Sequence, residues 1–301
     1  MTKPTRPAHR LRERQARPPR VTAALIADLA HRLTARDRAL LTLVWEHRVL
    51  TSDQITALFF RTSVRTHQRL RQLHELHALS SFRPWTPNGT AAKHWVLGPA
   101  GAHVLAVEQG VGLRELGYRH ETAMGIAVSP RLGHQVGVND FFVRLRAYAR
   151  NRDDGARLVQ WWPERRCVSK WGDHARPDAF GQWSEPRNQD QSQGSSAEVA
   201  FFLEHDTGTE RLARVAAKLN GYTALARETG STTPVLFWLP SAAREANLRK
   251  LLGVPRVPVA TAVQTPTTSR EGPAGAVWLP AGITGPRQRL TALANAWEFT
   301  M

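Results

Sequence analysis

The run Val199-Ala200-Phe201-Phe202-Leu203 ends abruptly in Glu204-His205-Asp206, and Thr207 and Thr209 then introduce a helical pattern that carries Lys218. An apolar run of that length bounded by turn residues predicts a buried strand. Ionised carboxylates at the edge of such a strand are costly unless a cation or hydrogen-bond donors compensate them, so the placement calls for a metal or a basic partner. Upstream, Arg176-Pro177-Asp178-Ala179 supplies one more acid after a proline.

The chain has 301 residues, enough for two domains with separate cores. Its 41 Lys and Arg against 25 Asp and Glu leave a formal charge of +16. Such an excess favours polyanions, with nucleic acid ahead of an acidic membrane. A single cysteine, Cys167, cannot form an internal disulfide, which fits a reducing cytoplasm. No stretch approaches the roughly 20 apolar residues that a membrane helix needs. Val21 to Ala30 follows basic residues as a leader peptide would, but Asp28 interrupts it and His31-Arg32 follows, so a short amphipathic helix is expected.

Residues 1–20 hold seven Lys or Arg and four prolines, the composition of a disordered basic arm. Such an arm is either a solvated tail or a segment lying along phosphates. From Leu33 to about Val107 a compact helical unit is expected. Thr34 with Asp37, and Thr51 with Gln54, open two helices as capping boxes. Arg61-Thr62-Ser63 turns into a third, Val64 to Ala78, with Thr66, Leu70, Leu73 and His77 on one side and Arg65, Gln68, Arg69 and Gln72 elsewhere. Phe82 to Trp85, an Asn-Gly turn in Thr86 to Thr90, and Lys93 to Leu97 read as a hairpin carrying Arg83 and Lys93. Two helices, a short turn, a third helix with long donors and a hairpin resemble a winged helix, the layout that fits a B-DNA major groove. The other reading is a small helical domain with a solvated basic face, or one that binds protein. Gly110 to Gly117 is expected as the linker, which divides the chain into an arm (1–20), a DNA-binding domain (21–117) and a second domain (118–301).

In the second domain, a helix of about Gly133 to Arg150 puts His134, Val138, Phe141, Phe142, Leu145 and Tyr148 on one face. Asn139 and Asp140 fall off that face; Asp140 is expected to pair with Arg144, and His134 to be a satisfied core histidine. There follow a strand at Arg157 to Trp162, a basic stretch (Arg165, Arg166, Lys170), a strand at RPDAFG, a polar connection at Gln182 to Ser196, and the central strand. A helix from about Glu210 to Arg227, a strand at Pro234 to Leu239, a helix at Ser241 to Leu252 and strands at Val257 to Val263 and Ala276 to Leu279 complete a mixed α/β (α+β) layer.

The order helix, strand, strand with Pro177-Asp178, strand with Glu204-His205-Asp206, helix resembles the PD-(D/E)xK nuclease fold. Over about Leu33 to Leu252 the chain is similar to the replication-relaxation family of plasmid proteins, with a winged helix ahead of that core. One departure is that Asp206 stands where the nuclease fold usually has lysine; Lys218, on the flank of the next helix beside Arg211 and Tyr222, is placed to supply that charge or else is simply solvated. The resemblance implies Asp178 and Glu204 as ligands of Mg²⁺ or Mn²⁺, Lys218 as the catalytic cation and Asp206 as a further ligand or water-orienting group. It implies a nickase acting on double-stranded DNA of a plasmid or mobile element, with replication or conjugation proteins as further partners. The DNA-binding residues would be Arg61, Arg65, Gln68, Arg69, Gln72, Arg83 and Lys93. The alternative is a non-catalytic replication accessory or transcriptional regulator on a nuclease-like scaffold, with Asp178 and Glu204 in salt bridges to Arg176 or Arg211. The three tyrosines, Tyr118, Tyr148 and Tyr222, have no HxH neighbour as a tyrosine relaxase needs, which leaves Tyr222 beside Lys218 as the one candidate for that chemistry, and no Cys pair, GxxxxGK[ST] loop or GxSxG turn is present.

Overall fold

A computed structural model describes residues 21–86, 89–186, 196–230, 232–264 and 271–297. The basic arm, the centre of the Asn-Gly turn, most of the polar connection before the central strand and part of the Pro-rich segment after Val263 lie outside these.

The front half is built from capped helices. Helix α1 (Ala23–Arg32) precedes α2 (Ala35–His47), where Asp37 accepts from the backbone of Thr34 at 2.8 Å and Thr34 accepts from the backbone of Asp37 at 3.3 Å. The expected box at Thr51 and Gln54 also forms, starting α3 (Ser52–Phe59) after the two-residue strand β1 (Leu50–Thr51). Thr62 caps α4 (Ser63–Glu75), and β2 (Leu79–Phe82) with β3 (His94–Leu97) forms the hairpin. Strand β1 adds to it, giving an antiparallel sheet in the order β1-β3-β2. Helix α5 (Pro99–Glu108) packs tightly on the start of β2: a Cβ at Gly101 would lie 2.3 Å from the carbonyl oxygen of Ala78.

The expected linker is more structured than its glycines indicate. Leu113–Leu116 forms α6, and the Tyr118 hydroxyl donates to the Leu97 carbonyl at 3.0 Å, tying the segment to β3 before α7 (His120–Gly125). The glycines end the short helices by adopting positive φ at 110 and 117, which leaves the residues between them free to be helical.

Helix α8 (Leu132–Arg150) opens the second half, followed by β4 (Arg157–Pro163). The basic stretch beyond it is a helix, α9 (Glu164–Trp171), because Cys167 and the two flanking tryptophans give it an apolar side. Strand β5 (Ala179–Pro186) begins after Asp178 and extends into the polar connection, and β6 (Ser196–His205) is the central strand. The single helix expected after it divides at Lys218 into α10 (Leu212–Ala217) and α11 (Leu219–Thr229). Strand β7 (Val235–Leu239), helix α12 (Ala242–Leu252), β8 (Val259–Val263) and the short β9 (Leu279–Pro280) complete the fold; the strand expected at 276–279 is reduced to β9 and a bridge from Trp278 to Gln288.

These strands form one mixed sheet in the order β4-β5-β6-β7-β8-β9, parallel through β6, β7 and β8 and antiparallel elsewhere. Alternation along β6 divides its side chains between two cores. Phe201 and Leu203 join Phe141, Phe142 and Leu145 of α8, whereas Phe202 joins Val215, Leu219, Tyr222 and Leu225. The sheet is thus covered on both faces, as its parallel strands require.

The two halves meet through specific bonds. Asn139 lies on the buried side of α8, contrary to the wheel, and donates to the carbonyls of His47 at 3.2 Å and Val49 at 2.6 Å. Gln54 donates to the Val136 carbonyl at 3.0 Å, and the His47 ring stacks on Trp161 at 3.7 Å between centroids. An amide is placed on the inward side of a helix when the neighbouring element presents carbonyls for it to bond, which a wheel drawn for one helix cannot reveal.

Candidate functional site

Ala179 of β5 pairs with Leu203 of β6, so Asp178 falls opposite Glu204 one step beyond. Phe180 and Phe202, two residues back, both pack towards α11, and the period of two carries Asp178 and Glu204 to the same side of the sheet. Both acids are at the end of β6 where its parallel neighbour β7 also terminates.

Glu204 is almost fully buried and both its oxygens are engaged: Lys218 Nζ lies 2.6 Å from Oε2 and the Tyr222 hydroxyl donates to Oε1 at 2.5 Å. The break between α10 and α11 places Lys218 at the head of α11, one turn before Tyr222, so the two donors descend on the same carboxylate. Close approach of α11 depends on Gly221, where a Cβ would lie 2.3 Å from the carbonyl oxygen of His174, in the segment leading to Asp178. Burial and the neighbouring charge of Asp178 push the Glu204 carboxyl up to about 7, against the pull of Lys218 and Tyr222. Lys218 is raised by its two acidic neighbours despite burial, and Tyr222 is raised by burial and by Glu204.

Asp178 has different partners. Its Oδ2 accepts from the backbone N–H of His205 at 2.8 Å and its Oδ1 lies 3.0 Å from His134 Nε2. Burial pushes Asp178 up, but the His134 bond and charge, Lys218 and the His205 N–H outweigh it, so its carboxyl stays below the usual range. His134 is raised by Asp178 against the effect of burial. The expectation of a satisfied core histidine therefore gives way to a site residue, about a third exposed and edge-on to the His205 ring at 5.4 Å. The signal was available as its position one turn before Gly137: a Cβ there would lie 2.4 Å from the His205 ring, so α8 is cut away to admit the strand end.

Asp206 goes elsewhere. Arg244 of α12 holds it through two nitrogens, with Nη2 3.0 Å from Oδ1, and the Gly208 N–H donates to the same oxygen at 2.8 Å. This nearly buried pair ties β6 to α12, so Asp206 serves the turn and not the Glu204 carboxylate. Neither Arg176 nor Arg211 is the partner of Asp178 or Glu204.

A metal site is testable against this donor set. Among the described residues no group of three His, Cys, Asp or Glu side chains is arranged to hold a metal ion. Mg²⁺ and Mn²⁺ ask for less, since Mg²⁺ keeps several waters and is commonly held by one or two carboxylates plus substrate phosphate. Asp178 and Glu204 supply two hard oxygen donors at neighbouring strand ends; burial is the first cause of the raised Glu204 carboxyl and the Asp178 charge the second, and a cation between them would relieve the second. The residues fit such an ion.

On the front half, Arg61, Arg65, Gln68 and Gln72 are exposed along α4 and the turn before it. Arg69 is not available in the same way: its guanidinium binds the buried carboxylate of Asp37 at 2.6 and 3.0 Å and the Arg32 carbonyl at 3.0 Å. It holds α4 to α2, because an N-terminal capping acid that is fully buried needs a cation. Arg71, passed over on the wheel, is exposed instead. Its charge and that of Arg83 help lower Lys93, after the effect of burial, which places three cations together where α4 meets the hairpin. Lys93 Nζ sits over Trp95 at 4.5 Å, and Arg83 donates across the hairpin to the Ala91 carbonyl at 2.7 Å. No helix among the described residues is long and apolar enough to cross a membrane.

Comparison with curated proteins and with solved structures finds no match. The replication-relaxation family profile does match, across residues 41–236, a span that runs from α2 through the hairpin, Asp178, Glu204 and Lys218 to β7. On that match the chain belongs to the replication-relaxation family.

Proposed function

We propose that this protein acts in the replication of a plasmid or other mobile element by holding duplex DNA with its front half and nicking it at the Asp178–Glu204–Lys218 site. The observation that carries the reading is the convergence of Lys218 and two acids at the ends of adjacent strands. Binding is supported by the sequence of helix, short strand, helix, helix and hairpin, which is the order of a winged helix, and by the exposed donors of α4 beside Arg71, Arg83 and Lys93. Asp178 and Glu204 would hold Mg²⁺ or Mn²⁺, which when bound lowers the pKa of a coordinated water and balances charge on the phosphate.

The chain's own side chains prepare the rest. His205 N–H and His134 fix both oxygens of Asp178, and Tyr222 fixes one oxygen of Glu204, so neither carboxylate has to reorient. Lys218 is about a third exposed, and its ammonium can meet a phosphate oxygen from solvent while it still touches Glu204. Asp206 takes no part in this reading, since Arg244 holds it.

A second reading rests on the same bonds. Each of the four carboxylate oxygens already has a partner within the protein, which suits a retained scaffold as well as a catalytic pair. On that reading the protein is a non-catalytic replication accessory or repressor.

Incubation of the protein with supercoiled plasmid and Mg²⁺ or Mn²⁺ distinguishes the two. Open-circle product is expected, and it should vanish in Asp178→Ala and Glu204→Ala while duplex binding persists. Intact duplex binding with no nicking under either metal would leave the scaffold reading in place.

A further inference from the structure

Helix α9 combines features that the proposed site does not use. Arg165, Arg166 and Lys170 are all exposed, and each lies against a tryptophan: Arg165 over Trp45 at 4.9 Å, Arg166 over Trp162 at 4.1 Å, and Lys170 over Trp162 and Trp171 at 5.1 and 5.3 Å. Glu164, the acid within the helix, is taken by Arg131 at 3.5 Å. Burial lowers Arg165, the charge of Glu46 opposes this from beyond salt-bridge distance, and the nearby Arg48 lowers it further. Among the described residues none of these four cations has a carboxylate within salt-bridge distance, although the chain spends many arginines on such pairs elsewhere. A cation resting on an aromatic face keeps its charge and loses much of its freedom to swing, so it is a preorganised contact for an anion.

The position of the strip gives it a direction. Arg165 rests on Trp45 of α2, at the front half, whereas Trp171 at the other end of α9 packs on Phe180 of β5, two residues after Asp178, and on Phe202 of β6, two residues before Glu204. Eight residues of helix span about 12 Å. Arg48 extends the strip from the turn after α2, in an unusual backbone conformation with φ of 69° that the Val49 N–H closes by donating to the His47 carbonyl at 2.8 Å. Trp162 and Trp171 stack on each other and carry cations on their faces, which makes them seats for charge and not open platforms for bases.

From this geometry we infer that Arg48, Arg165, Arg166 and Lys170 form a second DNA contact, which grips the phosphate backbone of the duplex between the front half and the proposed nicking site. It rests on the reading of the front half as DNA-binding, and adds a sequence-independent clamp that sets the reach from the bound site to the cut.

The test measures binding of a labelled duplex across a salt series for the full chain, for a strip variant (Arg165→Ala, Arg166→Ala, Lys170→Ala) and for a front variant (Arg65→Ala, Gln68→Ala), with thermal melting to verify folding. The strip variant should bind about tenfold or more weakly, with a salt slope shallower by roughly 0.9 for each phosphate that the variant no longer neutralises. The charge-conserving variant (Arg165→Lys, Arg166→Lys) should keep the slope. Weakened binding in the front variant together with an unchanged slope in the strip variant overturns the clamp and leaves the front-half reading standing. A full chain that binds no duplex overturns both, and a strip variant impaired only on a single-stranded oligonucleotide overturns the assignment to duplex.

Discussion

Lys218 Nζ lies 2.6 Å from Glu204 Oε2, although the two residues belong to different elements and the acid is buried while the lysine is a third exposed. Replacing Lys218 with Met should lower nicking about 100-fold or more, because a preorganised charge beside the phosphate is removed. Its cost in stability should be about 1–2 kcal/mol, less than for a fully buried pair because solvent screens the lysine. Adding Glu204→Gln should recover part of that stability but no activity. A urea titration of both variants alongside a plasmid assay separates the two effects.

The junction of the halves depends on one amide. Asn139→Ala leaves the Val49 carbonyl without its donor and takes one of two donors from the His47 carbonyl, and a loss of about 1–2 kcal/mol in unfolding free energy is expected. Asn139→Asp should be worse, since a carboxylate would face two carbonyl oxygens. Chemical denaturation midpoints test both.

Acid should loosen the same junction. His47 is buried against Trp161 with neither ring nitrogen bonded, and burial, with the charges of Arg165 and Arg146, pulls it down to about 3 from 6.5. The folded value lies below the unfolded one, so the unfolded chain takes up the proton first. This contribution is intact above pH 6.5 and declines as pH falls towards 3. At pH 5 the loss should be about 2 kcal/mol. In His47→Phe, which preserves the stack, melting temperatures measured from pH 7 to 5 should fall less steeply; a slope equal to that of the parent protein would exclude His47 as the source.

Gly137 gives a steric test of the site. Gly137→Ala places a Cβ within 2.4 Å of the His205 ring, and a destabilisation of about 2–3 kcal/mol is expected. Combining it with His205→Ala should cost less than the sum of the two single changes, because the clash is gone. Additive values in a double-mutant cycle would show that α8 shifts instead.

Much of the fold was legible. Both capping boxes formed, since they are local bonds within four residues, and the apolar run at 199–203 became the central strand, as its short length and the turn residues after it indicate. Asp140 pairs with Arg144 at 2.6 Å as their spacing requires. The failures share a cause. For Arg69, Asn139, His134 and Asp206 the deciding partners sit between 32 and 92 residues away, beyond anything that their own helix or strand displays.

The residues alone thus determined the element order, the excess of positive charge and the presence of acids at a strand end, because propensity, periodicity and composition act over short stretches of chain. Tertiary structure decided which acid meets which cation. Lys218 goes to Glu204, where Gly221 lets α11 approach, Arg244 of α12 goes to Asp206 after β6, and Arg69 of α4 goes to Asp37 of α2, each by the packing of one element on another. A buried charge takes the partner that packing brings within hydrogen-bonding distance, and that distance is a property of the folded chain.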